Sequence, residues 1–139
     1  MRILIASTAI ASLLFPGVTA SQAQLLACEG AQKPQQVVEL MFGRKVPGRS
    51  AVTEDEWERF LDHEIIPRFP EGLTVLGAVG QWHDQSSNRI VREPSKIVLI
   101  VLPGKDADLA RVNEIVEAYK SRFKQQSVAV ILRPACVSF

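Results

Sequence analysis

Two carboxylates stand where the surrounding pattern predicts apolar side chains. Glu64 lies seven residues after Trp57 and four after Phe60, on or beside the apolar face of a predicted helix. Arg68 follows Glu64 by four residues, which is the spacing of an ion pair on a helix. This carboxylate is therefore either half of a partly buried structural ion pair or a general acid or base in a site of its own.

Glu39 is the second such carboxylate, in the middle of the first predicted strand. Strand alternation places it on the same face as Val37 and Met41. It is either an ordinary exposed side chain on the open face of a sheet or part of the wall of a cavity that a second subunit encloses. Glu39 and Glu64 are thus the two candidate catalytic residues.

Five further side chains are candidates for binding a polar or anionic ligand. Trp82 offers a stacking face, and Arg92 and Lys96 offer cations for a carboxylate or phosphate. Arg44, at the end of the first strand, and Arg68 would serve the same purpose for an anionic substrate. The structural alternative is that Trp82 caps the core while the charged residues form surface pairs.

Other kinds of chemistry find no support in the residue pattern. The two histidines, His63 and His83, have no spacing that brings further ligands toward them, so no metal site is predicted. No serine lies in a nucleophile elbow, and no glycine loop of the phosphate-binding type is present. We therefore expect no cofactor and none of the familiar hydrolase, nucleotide-dependent or metal-dependent activities.

The elements that position these residues follow a predicted export signal. Arg2 gives a positive start, residues 3–14 form an apolar run, and Ser21 and Ala23 supply the small residues before a cleavage site. The apolar run is too short for a permanent membrane span. We expect residues 1–23 to be a signal peptide and the remaining protein to be periplasmic or extracellular.

The composition of the remaining chain argues against nucleic acid as a partner. The full sequence has 16 Lys and Arg against 15 Asp and Glu, and the predicted signal removes Arg2, which leaves the two numbers equal. A neutral chain without a basic run is a poor ligand for nucleic acid or for an anionic membrane. Its length suits one domain with one hydrophobic core.

The two cysteines, Cys28 and Cys136, are expected to form a disulfide in an oxidising compartment. Closing a loop of 108 residues would stabilise the protein by about 4–5 kcal/mol in the chain-entropy model. An alternative is that residues 25–28 form a lipobox, whose lipidated Cys28 would attach the protein to a membrane. The polar residues 21–24 argue against it, and two free thiols are a third alternative.

The periodicity of the chain predicts the order strand, helix, strand, strand, helix, strand. The first helix begins with a capping box formed by Thr53 and Glu56. The second has Asp106 or Asp108 as its N-cap and an apolar stripe that starts at Leu109. The predicted ranges are 37–42 (strand), 53–66 (helix), 73–82 (strand), 90–102 (strand, interrupted at Pro94), a helix with the stripe Leu109, Val112, Val116, Tyr119 and Phe123, and 127–132 (strand).

This order is typical of the ferredoxin-like split βαβ fold, an α+β sandwich with two helices on one face of a four-stranded antiparallel sheet. We therefore expect an irregular segment over 24–35 and a single domain over 36–139. The sheet order 4-1-3-2 makes the first and last strands neighbours, which brings Cys28 and Cys136 to one corner. Residues 97–102 are all apolar, which predicts a central strand covered on both faces and hence a homodimer through the open face.

Six motifs occur in order along the chain, namely ELMFGR (39–44), WERFL (57–61), PRFPEGLTV (67–75), GQW (80–82), REPSK (92–96) and ACVSF (135–139). Together they resemble the bacterial family catalogued as domain of unknown function 3574. The resemblance covers residues 37–139 and implies a small exported protein, sometimes a lipoprotein, without implying an activity.

Two functions remain open from the sequence. The first is an exported binding module for a small ligand or a protein partner. The second is a small enzyme of the dimeric ferredoxin-like barrel type, in which Glu39 or Glu64 is the acid or base and Arg44, Arg68 or Lys96 holds an anionic substrate.

Overall fold

A computed structural model describes residues 27–85 and 87–139 of the chain, so the predicted signal peptide lies outside the described residues. The described part contains four strands and two helices. They are β1 (Lys33–Gly43), α1 (Glu54–Phe60), β2 (Thr74–Asp84), β3 (Arg89–Val101), α2 (Asp108–Phe123) and β4 (Ala129–Val137).

The sheet has the order β2-β3-β1-β4 with every neighbouring pair antiparallel. Read from the other edge this is 4-1-3-2, so the predicted ferredoxin-like α+β topology is confirmed. The two helices pack on one face, where strand residues Val38, Leu40 and Phe42 of β1 meet the buried side chains of both helices. Phe42 contacts rings from both helices, with its centroid 5.2 Å from that of Trp57 in α1 and 4.7 Å from that of Tyr119 in α2.

The first and last strands, β1 and β4, are longer than their apolar patterns predicted. β1 begins at Lys33 rather than at residue 37, so the prediction of an irregular segment up to residue 35 was wrong. The added residues pair with the end of β4, as Gln35 does with Ala135. Backbone pairing with a neighbouring strand holds this polar stretch, and sequence periodicity does not report such pairing. Pro134 is tolerated in β4 because that strand lies at the edge of the sheet.

The capping box of α1 is confirmed. The backbone N–H of Glu56 donates to Oγ1 of Thr53 at 3.2 Å, and the N–H of Thr53 donates to Oε2 of Glu56 at 2.9 Å. The helix keeps its α form only to Phe60 and then continues as a π-helical segment over Leu61–Ile65. The predicted helix length was correct, but its last turn widens to i→i+5 hydrogen bonds.

The start of α2 differs from the prediction. Neither Asp106 nor Asp108 is the N-cap; the cap position is Ala107, which makes no side-chain capping hydrogen bond. Asp108 is the first helical residue, and its Oδ2 accepts from the backbone N–H groups of Gly104 at 2.8 Å and Lys105 at 2.9 Å. Its carboxylate therefore closes the turn before the helix.

The apolar stripe of α2 is confirmed at Val112, Tyr119 and Phe123, whereas Val116 is only partly buried and Leu109 is exposed. Leu109 is 51% exposed, because the helix turns that residue away from the sheet. The buried apolar side chains of α2 are Val112, Tyr119, Phe123 and Ile115, the last of which the predicted stripe left out.

β3 is central and continuous, and the predicted interruption at Pro94 was wrong. The ladder between β1 and β3 ends at Gly43 and Ser95, so Pro94 lies where only β2 remains as a ladder neighbour. We expected β3 to be covered on both faces, but within one chain only the face that packs against the helices is covered. Val98 and Ile100 are buried under the helices, whereas the alternate residues of this strand stay partly exposed.

The disulfide between Cys28 and Cys136 is present, with 5.5 Å between the Cα atoms. It joins the segment before β1 to the end of β4, as the predicted topology requires. Within residues 27–85 and 87–139, no helix is long and apolar enough to cross a membrane.

Candidate functional site

Arg44 and Lys96 converge on a single carboxylate, that of Glu54. Nη1 of Arg44 donates to Oε2 of Glu54 at 2.8 Å, and Nζ of Lys96 donates to its Oε1. The three residues lie in the turn after β1, on β3 and at the first position of α1. Because Lys96 is paired with Phe42 in the ladder, its side chain leaves the sheet on the face that carries the helices.

The turn after β1 fixes the guanidinium of Arg44. Its Nε and Nη2 donate to the carbonyl oxygen of Val52 at 2.7 and 2.5 Å, and the N–H of Val52 donates back to the carbonyl of Arg44 at 2.8 Å. The buried Tyr119 donates its hydroxyl to the carbonyl of Gly43 at 2.9 Å. Burial raises the pKa of the Tyr119 phenol, so it remains a donor at any physiological pH. Arg44 therefore projects from a rigid backbone.

Exposure is distributed unevenly among these three residues. The side chains of Arg44 and Lys96 are 13% and 14% exposed, while that of Glu54 is 52% exposed. The hydrogen bond from Lys96, assisted by Arg44, lowers the pKa of the Glu54 carboxyl below its ordinary value of 4.5, although partial burial opposes the change. Two sheltered cations thus share one carboxylate that faces solvent, which leaves one positive charge unmatched within this group.

A depression of about 440 Å³ opens beside the two cations. Gly77 faces Lys96 across the ladder between β2 and β3, and a Cβ atom added at Gly77 would meet nothing within 4 Å. The absence of a side chain there leaves the space beside Lys96 open. The residues that line the depression are Arg44, Gly77, Ala78, Val79, Pro94, Ser95 and Lys96. Its wall is apolar apart from the two cations and a serine.

Glu64 lies in a second cluster of charges, which we call the Glu64 cluster. The predicted pair with Arg68 is confirmed, with Nη1 of Arg68 3.0 Å from Oε2 of Glu64. Arg122 of α2 adds a second bond to Oε1 at 2.8 Å, and Arg68 also pairs with Glu114 at 3.0 Å. The cluster ties the π-helical segment to α2, which fits the structural interpretation of Glu64.

Glu39 lies on the open face of the sheet, as strand alternation predicted. Its side chain is 16% exposed, and Oε1 lies 2.5 Å from Nη2 of Arg133 on β4. Glu39 is therefore on the opposite face from Lys96. Glu64 lies ten residues along the helix from Glu54, which is roughly 15 Å at helical rise. Neither predicted catalytic carboxylate lines the depression that holds Arg44 and Lys96.

Trp82 on β2 and Arg92 on β3 lie in the same hairpin, but their side chains lie on different faces of the sheet. Trp82 pairs with Val91, and Arg92 pairs with Gln81, to which its Nε donates at 3.0 Å. Trp82 is 50% exposed and so does not cap the core, which corrects the structural alternative for that residue. Arg92 forms a surface pair, as that alternative predicted.

Of the five predicted ligand-binding residues, the fold brings together only Arg44 and Lys96. Sequence reasoning missed Glu54 and Gly77 as their neighbours, and it missed Arg133 as the partner of Glu39 on the other face. In the sequence, Glu54 is an acidic residue in the first turn of a predicted helix and Gly77 is a glycine within a predicted strand, and neither context points to a ligand. Their importance comes from residues that are distant along the chain.

Metal ligands do not cluster in the described part of the chain, since no group of three or more His, Cys, Asp or Glu side chains there could hold an ion.

Comparison with known sequences identifies a family. The family model described as "Protein of unknown function (DUF3574)" matches residues 37–139. No curated protein matches the chain.

Two solved structures of a phage SAM lyase share the fold. One is the complex with S-methyl-5′-thioadenosine, with a TM-score of 0.57 and 18% sequence identity over 84% of this chain and 97% of the lyase chain. The other is the apo state, with a TM-score of 0.57 and 18% identity over 83% of this chain and 92% of the lyase chain. At this identity the likeness extends to the ferredoxin-like architecture alone.

Proposed function

The chain belongs to the family of proteins of unknown function DUF3574, and we propose that it is an exported binding module of the periplasm or cell envelope that pairs with a second copy of itself. The surface that would form the pair is the open face of the sheet, defined here by the strand residues that point away from the helices. The proposal rests on one observation, which is the apolar character of that face.

The open face carries large apolar side chains on all four strands. Leu76 and Ile131 are 49% and 42% exposed on the two edge strands, and the central strands add partly exposed apolar residues between them. Those central residues are Met41, Ile97, Leu99 and Val101. A contiguous apolar patch of this kind on a soluble protein marks an interaction surface.

The charges on this face favour an identical partner. Glu39 and Arg133 lie within it and pair with each other in one chain, so their charges compensate each other and do not repel a second copy of the surface. A strongly charged partner, by contrast, would leave one of the two groups opposite a like charge. Self-association also covers the second face of β3, which its apolar sequence requires.

Export is supported by the disulfide. A bond between Cys28 and Cys136 persists in an oxidising compartment and is rare in a reducing one. It also occupies the sulfur of Cys28 that a lipid anchor would need, which favours a protein released from the membrane over a lipoprotein. Mass spectrometry of the unreduced exported protein checks this directly, because a diacylglycerol on Cys28 would contradict it.

The alternative of a small enzyme has weaker support. It needs Glu39 or Glu64 to share a closed pocket with Arg44, Arg68 or Lys96. Glu39 instead pairs with Arg133, and Glu64 pairs with two arginines outside the depression. The geometry therefore favours binding over acid–base catalysis.

Light scattering coupled to chromatography tests the proposed dimer with a matched pair of variants. Leu76→Lys places a charge on the open face, and Leu109→Lys places the same charge on α2, where the original leucine is equally exposed. We expect the wild type and Leu109→Lys to be dimers and Leu76→Lys to be a monomer, because a charge in the apolar patch must be desolvated on association. A wild type that stays monomeric at high concentration would refute self-association.

A further inference from the structure

We propose that the depression beside Arg44 and Lys96 binds a small organic anion whose carboxylate or phosphate takes the place of the Glu54 carboxylate. The proposal is independent of the dimer, because Lys96 projects on the face opposite to the open one. It assigns Arg44 and Lys96 to the head group of the ligand, and Val79 and Pro94 to its apolar body.

The first reason is that the guanidinium of Arg44 is held in place without Glu54, and that Lys96 extends from the central strand toward the same point. Arg44 has two of its nitrogens on the carbonyl of Val52, which leaves Nη1 directed at the carboxylate position. Lys96 is anchored in the central strand β3. Removal of Glu54 would leave both sheltered cations in need of an anion, because a desolvated cation without a counter-charge is costly.

The second reason is that Glu54 is the replaceable member of the group. Its side chain is half exposed and starts from the first position of α1, so rotation into solvent exposes no core residue. The backbone capping bonds of this helix are made by Thr53 and Glu56 instead. Glu54 therefore acts as an internal competitor that a free anion can displace.

The third reason is the space next to the cations. A volume of about 440 Å³ lies within the range of small-molecule sites, which is about 300–1,000 Å³. The space that a side chain at Gly77 would occupy is open, and Val79 is 75% exposed at the rim of the depression. A ligand with a charged head and an apolar body would match this division between cations and apolar wall.

Titration with two probes tests the proposal on protein made from the full sequence, with the disulfide intact. Hexanoate and phenyl phosphate carry the two head groups, and 1-hexanol and phenol are their neutral counterparts. Amide NMR shifts of Gly77 and Ser95 report occupancy of the depression. We expect at least one anion to bind while the neutral counterparts do not, and the tighter anion identifies the head group. Absence of binding by both anions would overturn the proposal.

Variants of opposite effect separate a binding site from a merely structural group of charges. Lys96→Gln should weaken binding of the anion about fivefold, because one charge-assisted bond is lost. Glu54→Gln should tighten binding by a similar factor of about five, because the internal competitor loses its charge. Gly77→Val should abolish binding, since its side chain fills the depression in a conformation that a strand valine adopts readily.

Glu64→Gln is the matched control, since it makes the same chemical change in the Glu64 cluster and should leave the affinity for the anion unchanged. A variant that simply failed to fold would not bind more tightly, so the gain expected for Glu54→Gln distinguishes the proposal from a loss of structure. Unchanged or weaker binding by folded Glu54→Gln would overturn it.

Discussion

The Glu54 group and the Glu64 cluster have the same ingredients, a glutamate that accepts from two cations, but opposite arrangements. At Glu54 the cations are sheltered, at 13% and 14% exposure, and the carboxylate is 52% exposed. At Glu64 the carboxylate is the sheltered member at 20%, and its partners Arg68 and Arg122 are 26% and 43% exposed. The depression of about 440 Å³ lies beside the first group, and the residues of the second do not line it.

The two groups differ in the sign of the sheltered charge, which is the charge that needs a partner to compensate its burial. A half-buried glutamate bonded by two arginines is compensated where it stands, and Glu114 supplies a second anion to Arg68, so that the Glu64 cluster is neutral. Two sheltered cations that depend on an exposed glutamate keep a net positive charge beside an open depression. The first arrangement links helices, whereas the second can exchange its anion for a ligand.

Removal of the disulfide should have the largest effect, and this effect is on the stability of the fold that carries both groups. Cys28→Ala with Cys136→Ala should lower the free energy of unfolding by about 4–5 kcal/mol, from the loop-closure entropy of 108 residues. Chemical denaturation of the variant and the oxidised wild type measures it.

Anion binding should survive this change. Arg44 follows the far end of β1, ten residues and roughly 33 Å from Pro34, the ladder partner of Cys136. Loss of anion binding in a folded double variant would contradict the separation between scaffold and site.

Substitution of the two glutamates should have effects of intermediate size on the free energy of unfolding, and the two effects should differ. Glu64→Gln should cost about 1–2 kcal/mol, because a sheltered carboxylate with two charge-assisted partners is replaced by a neutral group. Glu54→Gln should cost less than about 1 kcal/mol, because an exposed carboxylate gains little from its ion pairs. Parallel urea titrations measure both, and a larger loss for Glu54→Gln would reverse the assigned roles.

The smallest effect is a pH dependence that belongs to Glu54. Its carboxyl pKa lies below the ordinary value of 4.5 in the folded protein, so the unfolded chain binds more protons as the pH falls through that region. The stabilisation from Glu54 is therefore fully present above about pH 5.5 and is lost as the pH falls through 4.5 toward the folded pKa.

Urea titrations of wild type and Glu54→Gln across this range measure the loss. The difference between their unfolding free energies should be constant near neutrality and should shrink at acidic pH. Parallel curves down to pH 3 would show that Glu54 has an ordinary pKa in the folded state.

Local spacing predicted the parts of the site that depend on local contacts. The pair of Glu64 with Arg68 followed from a separation of four residues, and the capping box of α1 from a separation of three. The interruption at Pro94 and the N-cap at Asp106 or Asp108 were wrong for a related reason. In each case a residue with a strong local preference was placed by the strand ladder or the turn around it.

The sequence alone determined the order of the elements and the split βαβ topology, because apolar periodicity and strand order follow from short spacings and a few topological rules. For Cys28 and Cys136 it favoured a disulfide but left lipidation and free thiols open, and the structure decided for the disulfide. Only the tertiary structure decided that Lys96 and Arg44 meet at Glu54, which lies 42 residues from one and ten from the other. It also opened the space beside Gly77. Such meetings depend on the register of antiparallel strands and on helix placement, and these arise from the packing of the whole core.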